Sequence, residues 1–302
     1  MSFLKTFYKS NAAAGMILFL TMTLFGLTFM FTRVALEKAS VFTLLSWRFF
    51  TAFFSITLLR VFGIWKFKLK GLPFSLLIIG LLYPALYYTF ESLGVAMTSS
   101  AESGIIISLF PIVSMVMAAL LLSERPRRLQ ILSMVLSVLG AVVVILGRGA
   151  SHLTFNKLGY ISLFAAVFSL GLFYVISRGT VKYSSSAKSY LMLGTGFIVF
   201  TAAAAVEHLR GGTVSEWIML PFRNMDFLIA IIYLGALTTV VGTWGQNYAI
   251  ERLGVHRSSA FSGIATVVSI LAGVFLLHEP FTLVQGMGAV IILLGVTGVN
   301  LF

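Results

Sequence analysis

The chain has 302 residues, 59% of them hydrophobic and only 10% charged, with a formal net charge of +12 and a mean hydropathy of +1.03. So little polar side chain cannot cover a water-soluble globule, and the chain must live in lipid. The lack of cysteine removes disulfides, thiolate chemistry and cysteine metal sites. The basic residues stand between apolar runs instead of forming a patch interleaved with aromatics, which excludes nucleic acid as a partner.

In chain order, Met1 to Ser10 carry Lys5 and Lys9 between Phe3 and Phe7, a basic interfacial tail. The apolar run that follows is too long for a signal peptide, so this N-terminus is expected to be retained. Stretches free of Lys, Arg, Asp and Glu cover residues 10–32, 71–90, 103–123, 129–147, 158–177, 189–206, 227–250, 258–278 and 280–302. Each is close to the roughly 20 residues that a helix needs to cross a bilayer. Residues 39–62 make a tenth span if Arg48 is tolerated inside it. Pro73, Pro126 and Pro280 fall where the third, fifth and tenth spans would start, positions that need no backbone N–H. Pro84 and Pro111 fall inside spans, where each should free a carbonyl and kink its helix, so both are hinge candidates.

The spans repeat. A shift of 155 residues without a gap lays Glu91 on Gln246, Ser103 on Ser258, Pro111 on Thr266, Glu124 on Glu279 and Gly140 on Gly295. A shift of 145 lays FGLTFMFTR (Phe25 to Arg33) on LGLFYVISR (Leu170 to Arg178), and the polar run from His208 to Asp226 supplies the longer connection that the change of shift requires. Two homologous halves, 1–150 and 151–302, each with five spans, follow. With a cytoplasmic N-terminus, fourteen basic residues fall on the cytoplasmic side and seven outside, which puts both termini in the cytoplasm and the chain in the cytoplasmic membrane. An odd number of crossings per half inverts the second half relative to the first. The expected fold is therefore an all-α integral membrane protein of ten transmembrane helices, built as two inverted five-helix repeats. Such repeats are the architecture of alternating-access secondary transporters.

No enzyme motif competes with this. His152, His208, His256 and His278 form no HExxH spacing, and the chain contains no nucleophile elbow and no phosphate-cradling loop. No catalytic residue, metal site or cofactor is expected. Gly194-Thr-Gly196, Gly286-Met-Gly288, and the row Ser133, Ser137, Gly140 and Gly147 read as close-packing helix faces.

Polar residues at membrane depth are the candidate site. On the third span Tyr83, Tyr87 and Glu91 are four apart and share one face, with Tyr88 pointing elsewhere. A charge at mid-bilayer is unfavourable by about 3 kcal/mol and needs a cavity or a partner, so Glu91 is a substrate-amine contact, a proton carrier or a headgroup contact. Arg48 either snorkels, pairs with Glu91 or receives a substrate carboxylate. Glu102 is expected to serve the N-terminus of the fourth helix, and Glu124 and Glu279 to cap the helix that follows each. Thr28 and Thr32 on the first span, Ser103 on the fourth, Tyr174 on the sixth, Trp244, Gln246 and Asn247 on the eighth, and Ser262 and Thr266 on the ninth supply hydroxyls, amides and amphipathic rings for a central pathway.

The stretch FESLGVAMTSSAESGIIISLFPIV (Phe90 to Val113), the closing LLLSERP (Leu120 to Pro126) and its counterpart FLLHEP (Phe275 to Pro280) resemble the EamA-type family of the drug/metabolite transporter superfamily over essentially the whole chain. The resemblance implies ten helices in two inverted repeats and a cavity bounded by helices one, three, four, six, eight and nine. It also implies peripheral fifth and tenth helices, through which a homodimer could form, and export of amino acids, nucleosides, other metabolites or toxic organic compounds. The family usually has proline in the ninth helix where this chain has Thr266, so hinge symmetry between the halves is not expected. The expected partners are a small-molecule substrate and the lipid bilayer. A lipid-carrier flippase, binding a headgroup through Arg48 or Arg33, and a non-transporting receptor or scaffold are the alternatives.

Overall fold

The computed structural model describes the backbone of residues 11–65, 75–122, 127–147, 156–177, 185–242, 244–245, 248–249 and 261–301. Pro73, Glu124, Pro126, Gln246, Asn247 and Ser258 lie outside these residues, as do the side chains of Tyr174 and Ser262.

Among the described residues every regular element is helical, as hydrocarbon requires of a backbone that must satisfy its own polar groups. The α-helices are α1 (Asn11–Leu36), α2 (Val41–Val61), α3 (Ser75–Gly80), α4 (Tyr87–Met97), α5 (Ser100–Ile107), α6 (Phe110–Leu122), α7 (Arg128–Leu146), α8 (Lys157–Ser177), α9 (Ser185–Gly211), α10 (Val214–Arg223), α11 (Met225–Ile232), α12 (Ser262–Leu271) and α13 (Leu283–Leu301). Wider π-helical turns occupy Leu81–Leu86, Tyr233–Gly242 and Ala272–Leu276. Among the described residues seven helical runs are long and apolar enough to cross a membrane, and three further apolar helices are shorter. The protein is a multi-pass, all-helical membrane protein.

Several boundaries depart from those expected, each for a local reason. Helix α1 runs a turn beyond Thr32 because the Arg33 guanidinium donates through Nη1 to the carbonyls of Val95 (3.0 Å) and Ala96 (3.2 Å), capping the end of α4. The polar run from His208 to Asp226 is largely helical: α9 continues to Gly211 and α10 takes up Val214–Arg223. Pro280 lies three residues before α13, which begins at Leu283 behind a Thr282–Gln285 capping box, so it does not start that helix. Pro111 does interrupt its span: α5 ends in a turn at Ser108 and Leu109, and Pro111 sits in the first turn of α6. Pro84 lies in the π-helical turn, where Tyr83 leaves helical geometry altogether (φ −141°, ψ 107°).

The chain divides into two compact units, each drawing on both halves of the sequence: 1–30, 98–157 and 241–302 form one, and 31–97 and 158–240 the other. In the first unit α7 lies along α13 with glycines face to face. A Cβ on Gly140 would come 2.8 Å from the Gly288 carbonyl oxygen, and one on Gly288 the same distance from that of Gly140. Ser137, Gly140, Ala141 and Val144 are buried on this face of α7, while Leu132, Val135, Leu139 and Leu146 are exposed on the other. That is the arrangement expected where lipid, not water, is the outer solvent. In the same unit α5 packs on α12, with Gly104 against Ser269.

In the second unit α2 lies along α9. A Cβ on Gly196 would collide with the Phe49 ring and stand 2.7 Å from the Pro84 ring, so the expected Gly194 and Gly196 surface is a close-packing face. Ala35, Leu44, Phe227, Ala230, Ile231 and Leu234 form a buried apolar cluster beside it.

Candidate functional site

Arg48 lies near the middle of α2, whose start is fixed by Ser40, the hydroxyl of which accepts from the Thr43 N–H at 3.2 Å. It is 1% exposed, among the most deeply buried side chains described. Its guanidinium carbon lies 4.2 Å from the centre of the Tyr88 ring, a cation–π contact. Its Nε donates to the Thr239 hydroxyl at a long 3.4 Å, and its Nη1 is buried without a hydrogen-bond partner. Snorkelling is thus overturned, because no part of the side chain reaches solvent.

Glu91, on α4, is also 1% exposed. Its Oε2 accepts from the Ser92 hydroxyl at 3.4 Å, and Arg48 acts on the carboxylate electrostatically. Among the described residues no hydrogen bond joins the two side chains. The guanidinium is therefore left short of hydrogen-bond acceptors at this point in the fold. Burial also removes the headgroup reading of Glu91.

The tyrosines are arranged differently from the expected stripe. Because the π-helical turn and the non-helical Tyr83 break the 3.6-residue register, Tyr83 meets Tyr88, its hydroxyl 2.9 Å from that of Tyr88. Tyr88 thus turns toward the site, a correction to the helical-wheel reading, and joins Arg48, Tyr83 and Tyr87 in one aromatic and cationic group. The Tyr83 ring stacks on Phe173 of α8 at 4.9 Å and lies 5.2 Å from Tyr87, which meets Tyr88 edge-on at 4.8 Å. Tyr88 and Thr239 are the residues that sequence reasoning missed. Pro84, set between Tyr83 and Tyr88, was the one signal that a regular wheel would fail there. Thr32 belongs to the same unit, and among the described residues its hydroxyl oxygen is the other buried side-chain atom without a hydrogen-bond partner.

Thr28, Ser103, Trp244 and Thr266 lie in the other unit. The Thr28 hydroxyl donates to the Leu24 carbonyl within its own helix (3.3 Å), and Ser103 donates to the Ser99 carbonyl (2.8 Å) and meets the Thr98 hydroxyl at 2.9 Å. Thr266 is buried, with its carbonyl accepting from the Ser269 hydroxyl at 2.8 Å, and Trp244 stacks on Tyr248 at 5.6 Å.

In that unit the acidic residues do structural work. The Glu102 carboxylate accepts from the Ser99 N–H (3.1 Å) while the Ser99 hydroxyl accepts from the Glu102 N–H (3.1 Å), a closed capping box at the start of α5. The other oxygen of Glu102 accepts from Gln285 Nε2 at 2.9 Å. Glu279 accepts from the backbone N–H groups of Ser100 (2.9 Å) and Ala101 (3.2 Å) and from the Ser100 hydroxyl (2.7 Å). It therefore caps α5, some 180 residues back in the chain, and not the helix that follows it as expected. Among the described residues no group of three His, Cys, Asp or Glu side chains could hold a metal ion.

The model of the EamA-like transporter family matches the chain twice, over residues 13–146 and 157–301. The chain belongs to the EamA-like transporter family. An uncharacterized transporter, YcxC, of Bacillus subtilis is 35% identical over 91% of this chain and 89% of its own. An uncharacterized transporter of Archaeoglobus fulgidus is 28% identical over 93% and 96%. A WAT1-related protein of Arabidopsis thaliana is 26% identical over 74% and 67%. One crystal structure of another protein superposes with a TM-score of 0.62 over 96% of both chains at 19% identity, a likeness of fold. As an EamA-family member the chain is a membrane transporter of small molecules and not an enzyme.

Proposed function

We propose that the chain is a secondary transporter, working as an exporter in the cytoplasmic membrane. It moves small amphipathic metabolites, such as amino acids or aromatic and toxic organic compounds, by alternating access. The observation that carries this reading is the double match of the family model, which divides the chain into two stretches of similar length. On this reading residues 1–150 and 151–302 are inverted five-helix repeats, ten crossings in all, with both termini cytoplasmic and the peripheral helices free to pair in a homodimer. The solute meets Thr28, Thr32, Arg48, Tyr83, Tyr87, Glu91, Ser103, Tyr174, Trp244, Gln246, Asn247, Ser262 and Thr266. The interruptions at Pro84 and Pro111 are where the helices bend. Glu91 carries the coupling proton.

Purified protein in liposomes tests this. A labelled solute from a metabolite panel should equilibrate across the bilayer and exchange in counterflow. Glu91→Gln should flatten the pH dependence of net uptake while counterflow persists. Scrambling of labelled lipid with no solute flux would replace this reading with a flippase.

A further inference from the structure

We propose that Arg48 is a receptor for the carboxylate of a transported organic anion, an inference that rests on the transporter reading above. A guanidinium offers five N–H donors in a rigid plane, and a buried donor left without an acceptor is unfavourable. In the second unit the Nη1 of Arg48 has no acceptor, its Nε has only the long contact to Thr239, and no hydrogen bond from Arg48 to Glu91 makes up the difference. A static ion pair would close that gap with hydrogen bonds from Arg48 to Glu91. What the site lacks is an acceptor.

The geometry narrows the class of acceptor. Tyr88 covers one face of the guanidinium at 4.2 Å, which fixes its plane and leaves the in-plane N–H edge for a ligand. A planar two-oxygen group on that edge is the partner for which arginine is built. Tyr83, Tyr87 and Phe173 continue from the Tyr88 ring as a contiguous aromatic group, suited to the apolar body of an organic acid and not to an inorganic anion. Thr32, with its own unpartnered buried hydroxyl, provides a second polar atom in this unit.

The test is calorimetric titration of the full-length protein in lipid nanodiscs with benzoate, its neutral isostere benzamide, and benzylammonium. Benzoate should bind about tenfold more tightly than benzamide, the scale of one charge-assisted hydrogen-bonded pair. Arg48→Gln should bring the two within about twofold. Arg48→Lys keeps the charge but loses the planar fork and should lose most of the preference. If Arg48→Gln does not fold, as judged by its thermal midpoint, Arg48→Lys carries the test. Equal or weaker binding of benzoate relative to benzamide, a preference for benzylammonium, or a benzoate preference that survives both Arg48 variants overturns the proposal. Liposome flux of neutral or cationic solutes with no anion preference would remove the anion site and leave the transporter. Absence of any solute flux would remove the transporter.

Discussion

Two clusters of buried charge in this protein have opposite hydrogen-bond accounts. At the start of α5 the backbone N–H groups of Ser99, Ser100, Ala101 and Glu102 all find side-chain acceptors, supplied by Glu102, Glu279 and the Ser99 hydroxyl. At Arg48 the guanidinium has an aromatic face and one long contact, and a buried donor is left over. The first cluster is complete within the chain, and a complete network holds structure together. The second is complete only when something is added. Glu102, Arg48 and Glu91 are each 1% exposed, so satisfaction of individual atoms, not burial, separates a structural site from a binding one.

That contrast can be broken most directly at Glu279. Glu279→Ala strands two buried backbone donors and the Ser100 hydroxyl, and should lower stability by about 3 kcal/mol in denaturant unfolding of the detergent-solubilised protein. Glu102→Ala opens the capping box and frees Gln285 Nε2, for a loss of about 2 kcal/mol in the same measurement. Gly288→Ala tests the packed face of the same unit. Its new Cβ meets the Gly140 carbonyl, and overpacking of about 1–2 kcal/mol should follow. The smallest effect on stability belongs to the incomplete cluster. The double variant Arg48→Met with Glu91→Gln removes both charges together and should remain within about 1 kcal/mol of the parent. Liposome flux should nevertheless fall to background. A double variant that unfolds while the Glu279 and Glu102 variants stay intact would reverse the assignment of the two clusters.

Much of this was legible before any coordinates. The glycine rows at Gly194 and Gly196 and along Ser137 and Gly140 announced close helix contacts, because small residues in an apolar span have little else to do. Arg48 and Glu91 stood out because charge inside an apolar run is unfavourable enough to need a reason. Tyr88 was misplaced because a helical wheel assumes an unbroken register, and Tyr83 and Pro84 break it. Glu279 was assigned to its sequence neighbour because capping rules are local, whereas its actual partners are some 180 residues away.

Sequence by itself determined the solvent, the helical class, most of the crossing segments and the two charges that matter, since each follows from composition or from periodicity within about 20 residues. Tertiary structure alone decided which buried polar atoms are satisfied and which are not. A hydrogen bond needs its partner within about 3 Å in the right direction, and between distant segments only the folded chain sets that distance.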